Sequence, residues 1–190
     1  MNRGQAHTLE GTIASLLLLV SLLVAFQATA VTPLTASTSS QHIENQLSNS
    51  ARGVLSTAEA DGELKPAVLY WNESASSFHN TPSNGFYTND PPDNEFGRML
   101  NATFDSRGIA YNVYLAYNGS ENQVRYVYRG QPSDNAVSVS RTVVLFDSDR
   151  LRTDTGGTDR AVGNASSFYA PDVGGNVYNV VTVRVVVWRI

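Results

Sequence analysis

The 190 residues include 13 basic and 17 acidic side chains, for a formal charge of −4, so nothing favours a nucleic-acid binder held by phosphate contacts. There is no cysteine, which excludes a disulfide framework, a thiol nucleophile and a thiolate metal site, and three scattered histidines leave little material for a metal cluster. Lys65 is the single lysine, and asparagine, serine and threonine dominate the polar remainder, the profile of an extracytoplasmic, hydrogen-bonding surface.

The first elements form an anchor. Residues 1–10 read as a leader and cytoplasmic end, carrying Arg3, His7 and Glu10, and residues 11–31 as a transmembrane helix. From Gly11 to Ser40 the chain has no charge, and Ile13 to Phe26 is apolar apart from two serines. Extension to Val31 supplies the ~20 residues that span a bilayer as a helix. Positive charge lies on the N-terminal side and the next charge is Glu44. The expected topology is therefore a single pass through the cell membrane, with a cytoplasmic N-terminus and an exported remainder. Three processing fates fit this segment. One is a secretory signal cut after Ala28-Thr29-Ala30; another is an uncleaved anchor. The third is a prepilin-type signal, cut ahead of the apolar stretch so that the helix is kept.

Arg3-Gly4-Gln5-Ala6-His7-Thr8-Leu9-Glu10 resembles the leader junction of type IV pilins and archaeal pilin-like proteins. The stretch from Arg3 to Gln46 is similar to uncharacterised haloarchaeal pilin-like membrane proteins. The resemblance implies processing at Arg3, Gly4 and Gln5 by a prepilin peptidase. Cutting after Gly4 makes Glu10 the sixth mature residue; cutting after Gln5 makes it the fifth. It further implies that Glu10 meets the mature amine of a neighbouring subunit, and that the partners are other pilin-like subunits packed through residues 11–31. Independently of the family, a carboxylate at the edge of a bilayer helix is costly unless it snorkels, pairs or reaches water. The plainer role for Glu10 is a place in the headgroup zone.

Pro33 is expected to interrupt the helix, and Thr35 to Ser40 to cap or restart it. Residues 35–60 then form an amphipathic spine in which Ile43, Leu47, Ala51, Val54 and Ala58 repeat at helical spacing. A juxtamembrane stalk is the alternative. Asp61-Gly62 ends this helix, and residues 62–190 form an extracytoplasmic β-rich head. Ala67 to Trp71 reads as a strand, and Asn72 to Asn94 as a polar loop. Asp93 to Arg107 reads as a short helix with Phe96, Met99, Leu100 and Phe104 on one face, closed by Gly108. Ile109 to Tyr117 alternates as a strand and turns at Asn118-Gly119. It pairs with Val124, Tyr126 and Tyr128, while Arg125 and Arg129 face outward. Ala136 to Phe146 is a further strand whose alternation changes phase near Arg141, at a bulge. Asp147 to Gly163 is a loop, and Val177 to Ile190 a closing strand. The fold class is α+β: a long N-terminal helix, transmembrane then amphipathic, packed on a mostly antiparallel, pilin-like sheet.

Four N-x-S/T sequons begin at Asn72, Asn101, Asn118 and Asn164, and are candidate N-glycosylation sites in an exported head. Asn118 has the best position, at a hairpin tip, and Asn101 the poorest, on a helix. The acidic stretches Asn89 to Glu95 and Asp147, Asp149, Asp154 and Asp159 lack EF-hand spacing and read as turns and solvated surface. No catalytic motif, cofactor fingerprint or metal signature is present. The chain reads as a non-enzymatic, pilin-like subunit or minor component of a type IV filament or related secretion apparatus. The alternative is a monomeric anchored surface protein whose head binds a ligand or partner.

Overall fold

A computed structural model describes residues 3–118, 122–153 and 155–189, and among these the side chains of all but 3–6 and 28–40. The class is α+β, and the chain divides into two compact units, Met1–Ile43 and Glu44–Ile190. Helix α1 (Arg3–Ala60) includes Pro33, so the expected break there does not form. Proline removes one backbone donor and costs about 3 kcal/mol in a helix interior. The stretch from Gln27 to Gln46 contains no glycine that would add a second defect.

In the second unit α1 buries Leu47, Ala51, Val54, Leu55 and Ala58, the expected stripe with Leu55 added; Ile43, expected at its start, is only half-buried. Gly62, at φ 75°, stops the helix: its N–H donates to the Glu59 carbonyl and that of Glu63 to Ala58. The next apolar run departs from expectation. Leu64–Val68 is a short helix, α2, and only Trp71–Asn72 is extended, as β1, paired with β2 (Ser77–Phe78). Residues 67–71 are all buried, so no alternation distinguishes strand from helix, and Pro66 sits in the first turn, where a missing N–H costs little. Helix α3 (Glu95–Thr103) is capped by Asn94, whose side chain accepts the Gly97 N–H at 2.9 Å. A Cβ on Gly97 would lie 1.9 Å from the Pro92 carbonyl oxygen, so only glycine fits there.

The sheet is antiparallel, in the order β4-β3-β8-β5, built from β3 (Ile109–Tyr117), β4 (Asn122–Val127), β5 (Val137–Phe146) and β8 (Val177–Arg189). In β3, β5 and β8 the inner face carries odd-numbered residues, aligned as Val113↔Val185, Leu115↔Val183, Val139↔Val185 and Val143↔Val181. The expected loop 147–163 contains a hairpin, β6 (Arg150–Thr153) and β7 (Gly156–Ala161), in which backbone pairing does not need an apolar pattern; Asp154 lies outside the described residues.

Two further expectations are corrected. Alternation in β5 keeps one phase: Arg141 shares the inner face with Val139 and Val143, and its irregularity falls at Leu145/Phe146. The guanidinium reaches α1, where Nε donates to Glu59 and Nη2 to Ser56, both at 3.0 Å. In β4 the register shifts opposite Val113/Tyr114, and this bulge leaves Tyr126 and Val127 both buried. Parity then inverts. Tyr128 turns outward beside Arg125, whereas Arg129 turns inward, 4.3 Å above the Tyr111 ring and paired with Asp105. Burial pushes the Tyr111 and Tyr126 hydroxyls well above the ordinary phenol range, so both stay protonated.

Glu73 ties the β1–β2 turn to the segment after β7. It accepts from Arg160 at 3.0 and 3.1 Å and from the Ser166 N–H at 2.6 Å. The Arg160 hydrogen bonds, then those from Ser166, lower its pKa from 4.5 to about 2. Ionised Glu73 therefore stabilises the head fully above its unfolded value, and the contribution disappears as pH falls from 4.5 toward about 2. Thermal unfolding measured across that window should lose part of its pH dependence in Glu73→Gln. Leu55→Ala, which empties a fully buried site, should cost about 2–5 kcal/mol in denaturant unfolding.

Candidate functional site

The first unit presents an apolar surface through its side chains. Between His7 and Gln27 lie 21 residues of helix that are long and apolar enough to cross a membrane. At 1.5 Å per residue they extend about 31 Å, the thickness of a hydrocarbon core. Leu9, Ile13, Leu16, Leu17, Leu18, Leu19, Leu22, Leu23 and Phe26 are all exposed, and their spacing covers every side of the helix rather than one stripe. Such a surface is stable only in apolar surroundings.

The polar side chains here are satisfied within the helix. Thr12 Oγ1 donates to the Thr8 and Leu9 carbonyls at 3.1 and 2.8 Å, Ser15 to Thr12 at 2.9 Å, and Ser21 to Leu18 at 2.9 Å. Those bonds let hydroxyls enter lipid without an unpaired donor. Glu10 is exposed one turn into the segment, with His7 Nδ1 at 3.7 Å. Arg3, Gly4 and Gln5 belong to the first turns of α1, and their side chains lie outside the described residues.

The other sequence candidates are dispersed over the head. Asn101 on α3 and Asn164 are exposed, while Asn72 is half-buried and accepts the Ala75 N–H at 3.2 Å. Asn118 is exposed at φ 52°, where its Oδ1 accepts from Asn179 at 3.2 Å; Gly119 and Ser120 of its sequon lie outside the described residues. Three carboxylates of the acidic stretches are paired: Asp149 with Lys65 at 2.9 Å, Asp159 with Arg150 at 3.3 Å, and Glu95 with Arg98. Among the described residues no three His, Asp or Glu side chains gather where they could hold a metal ion. His42 is exposed on α1, and His79 packs against Tyr70 with ring centroids 5.0 Å apart. An aromatic cluster of Trp71, Phe78, Phe168 and Tyr169 was not signalled by spacing, because its members come from segments about ninety residues apart.

A charge at the centre of the apolar helix tests its match to lipid. Leu18→Arg should weaken insertion by about 2.5–3.5 kcal/mol, read as the integrated fraction in a membrane-insertion assay.

Among curated proteins the chain is similar to one from Archaeoglobus fulgidus described as uncharacterized. The two are 34% identical over 151 residues, which is 76% of this chain and 78% of that protein. No solved structure matches the chain. Its sequence from residue 3 to residue 187 matches the profile of a family of unknown function, DUF7288, and the chain belongs to that family.

Proposed function

We propose that the protein is a structural subunit, principal or minor, of a type IV filament or a related secretion apparatus, assembled through its N-terminal helix. One observation carries this reading: an exposed 21-residue helix, apolar on every side, has the carboxylate of Glu10 near its start. In a filament, helices of sister subunits supply the apolar surroundings that this surface requires. Removal of the leader by a prepilin peptidase near Gly4 or Gln5 creates a free amine. Glu10 of an adjacent subunit neutralises it, which removes the cost of placing either charge among apolar helices. The one-faced stripe from Leu47 to Ala58 supports the reading further, because it attaches a sheet to the same helix. The N-terminus is cytoplasmic and the head extracellular, where the exposed Asn101, Asn118 and Asn164 are more accessible to glycosylation than Asn72.

Mass spectrometry of the mature N-terminus tests the proposal. A chain beginning at Gln5 or Ala6 supports it. An intact N-terminus favours a monomeric anchored surface protein, and a start at Val31 removes the anchor and sinks both readings. In the native host, Glu10→Ala should lose incorporation into sheared filaments while remaining in the membrane fraction; normal incorporation would remove the role given to Glu10.

A further inference from the structure

A cleft of about 250 Å³ opens on the head where the β1–β2 hairpin, the Asn84–Phe86 turn, β4 and Tyr169 meet. Its floor is aromatic: Tyr169 and Phe86 are half-buried and face the cleft, while Trp71 and Phe78, only 8% and 2% exposed, back them. The Trp71 ring lies edge-on to Phe78, with centroids 5.1 Å apart at 87°, and 5.6 Å from Tyr169, while Phe78 and Tyr169 are 5.4 Å apart. Both polar tips on this floor are already committed. The indole N–H donates to the Ser167 carbonyl at 3.0 Å, and the Tyr169 hydroxyl donates to the Val68 carbonyl at 3.3 Å. What remains for a ligand is the half-buried ring carbon of Tyr169 and Phe86.

The rim is polar. Ser76 and Ser77 line it from the hairpin, and Asn84 from the facing turn. Asn84 Oδ1 accepts the Phe86 N–H at 3.3 Å, and its NH₂ group has no partner among the described residues. Arg125 completes the rim in an unusual setting. Its guanidinium lies 4.3 Å from the Tyr128 ring centre and 5.5 Å from that of Phe86, two rings set at 84° to each other. Arg98, Arg129, Arg141, Arg150 and Arg160 each pair with a carboxylate; Arg125, like Arg52, Arg107, Arg152, Arg184 and Arg189, has no carboxylate partner among the described residues, and of these six it alone lines the cleft. A guanidinium stacked on rings keeps its in-plane N–H fork available for a planar anion.

Floor, rim and cation select among ligands. A cationic ligand is repelled by Arg125. A lone phosphate or sulfate gains nothing from the aromatic floor, and an aliphatic chain would desolvate the rim without pairing it. A pyranose bearing a carboxylate uses all three: its C–H face lies against the half-buried Tyr169 and Phe86 rings, its hydroxyls meet Ser76, Ser77 and Asn84, and its carboxylate meets Arg125. The cleft is smaller than the ~300–1,000 Å³ of sites for drug-sized ligands, which suits one sugar unit of a longer chain. We propose that this cleft binds a uronic acid residue of an acidic glycan. The activity belongs to the head and is independent of filament assembly. With a net charge of −4 the chain as a whole repels such a ligand, so attraction has to be local to Arg125.

The test is calorimetric titration of the full chain in a nonionic micelle with glucuronate- and galacturonate-containing hexasaccharides, beside a neutral N-acetylglucosamine hexasaccharide. At least one acidic hexasaccharide should bind roughly tenfold or more tightly than the neutral one. Arg125→Ala should lose that preference and Phe86→Ala should weaken it, both with unfolding midpoints matching the parent. Arg52→Ala, which removes an exposed charge on α1, should leave it intact. Absence of binding by both acidic hexasaccharides, equal binding of the neutral one, or an unchanged preference in Arg125→Ala would each overturn the proposal.

Discussion

The inner face of the sheet has to be kept from water, and the organisation of the head follows from that requirement. Val113, Leu115, Val143, Val181, Val183 and Val185 form a continuous apolar surface across β3, β8 and β5. The buried stripe of α1 alternates large and small residues, Leu47, Ala51, Leu55 and Ala58, so the helix can approach closely while leucines fill the gaps. Each large side chain buried in this way contributes about 1.5–3 kcal/mol, enough in sum to hold a domain whose outer surface is largely polar. Arg141 is the exception on that face. It lies beside the helix rather than beneath it, where a half-exposed guanidinium reaches Glu59 and Ser56 without a full desolvation cost.

The same secondary structure meets two different demands along α1. Between Leu47 and Ala58 the apolar residues keep to one side, as a helix must when protein covers one face and water the other. Between His7 and Gln27 they cover every side, and Thr12, Ser15 and Ser21 return their hydroxyls to the backbone. A helix satisfies all its interior backbone groups by itself, so the side chains alone decide which solvent each part tolerates.

Elements whose identity depends on local pattern were legible. The amphipathic stripe, the Gly62 stop, the aromatic face of α3 and strands β3 and β8 follow from spacing and capping residues close together in the chain. Other elements depend on neighbours distant in sequence. The bulge in β4 adds one residue opposite β3 and thereby exchanges the outward positions of Tyr128 and Arg129, an outcome set by Asp105 and Tyr111 waiting on the inner side. Strands β6 and β7 pair through their backbones with arginine, threonine and glycine in place of an apolar alternation. The run from Ala67 to Trp71 that leaves the short helix at Leu64–Val68 is buried without a break, which removes the periodicity that separates a helix from a strand.

The candidate sites divide in the same way. Glu10 and the apolar helix were visible because hydropathy, charge order and length are properties of a continuous segment, and those same properties determine which surroundings it requires. The four sequons were equally visible as strings, but their exposure depends on what folds against each asparagine. The aromatic cleft was invisible in sequence. Trp71, Phe86, Arg125 and Tyr169 belong to four separate segments: Glu73 and Trp71 bond to Ser166 and Ser167 beside Tyr169, and the Tyr87 backbone bonds to Tyr126 and Tyr128 beside Arg125. The sequence by itself therefore determined the apolar helix, the amphipathic stripe and the α+β class. Only the tertiary structure decided which rings share a surface and which arginine borders them, because those facts depend on packing between segments that no local pattern encodes.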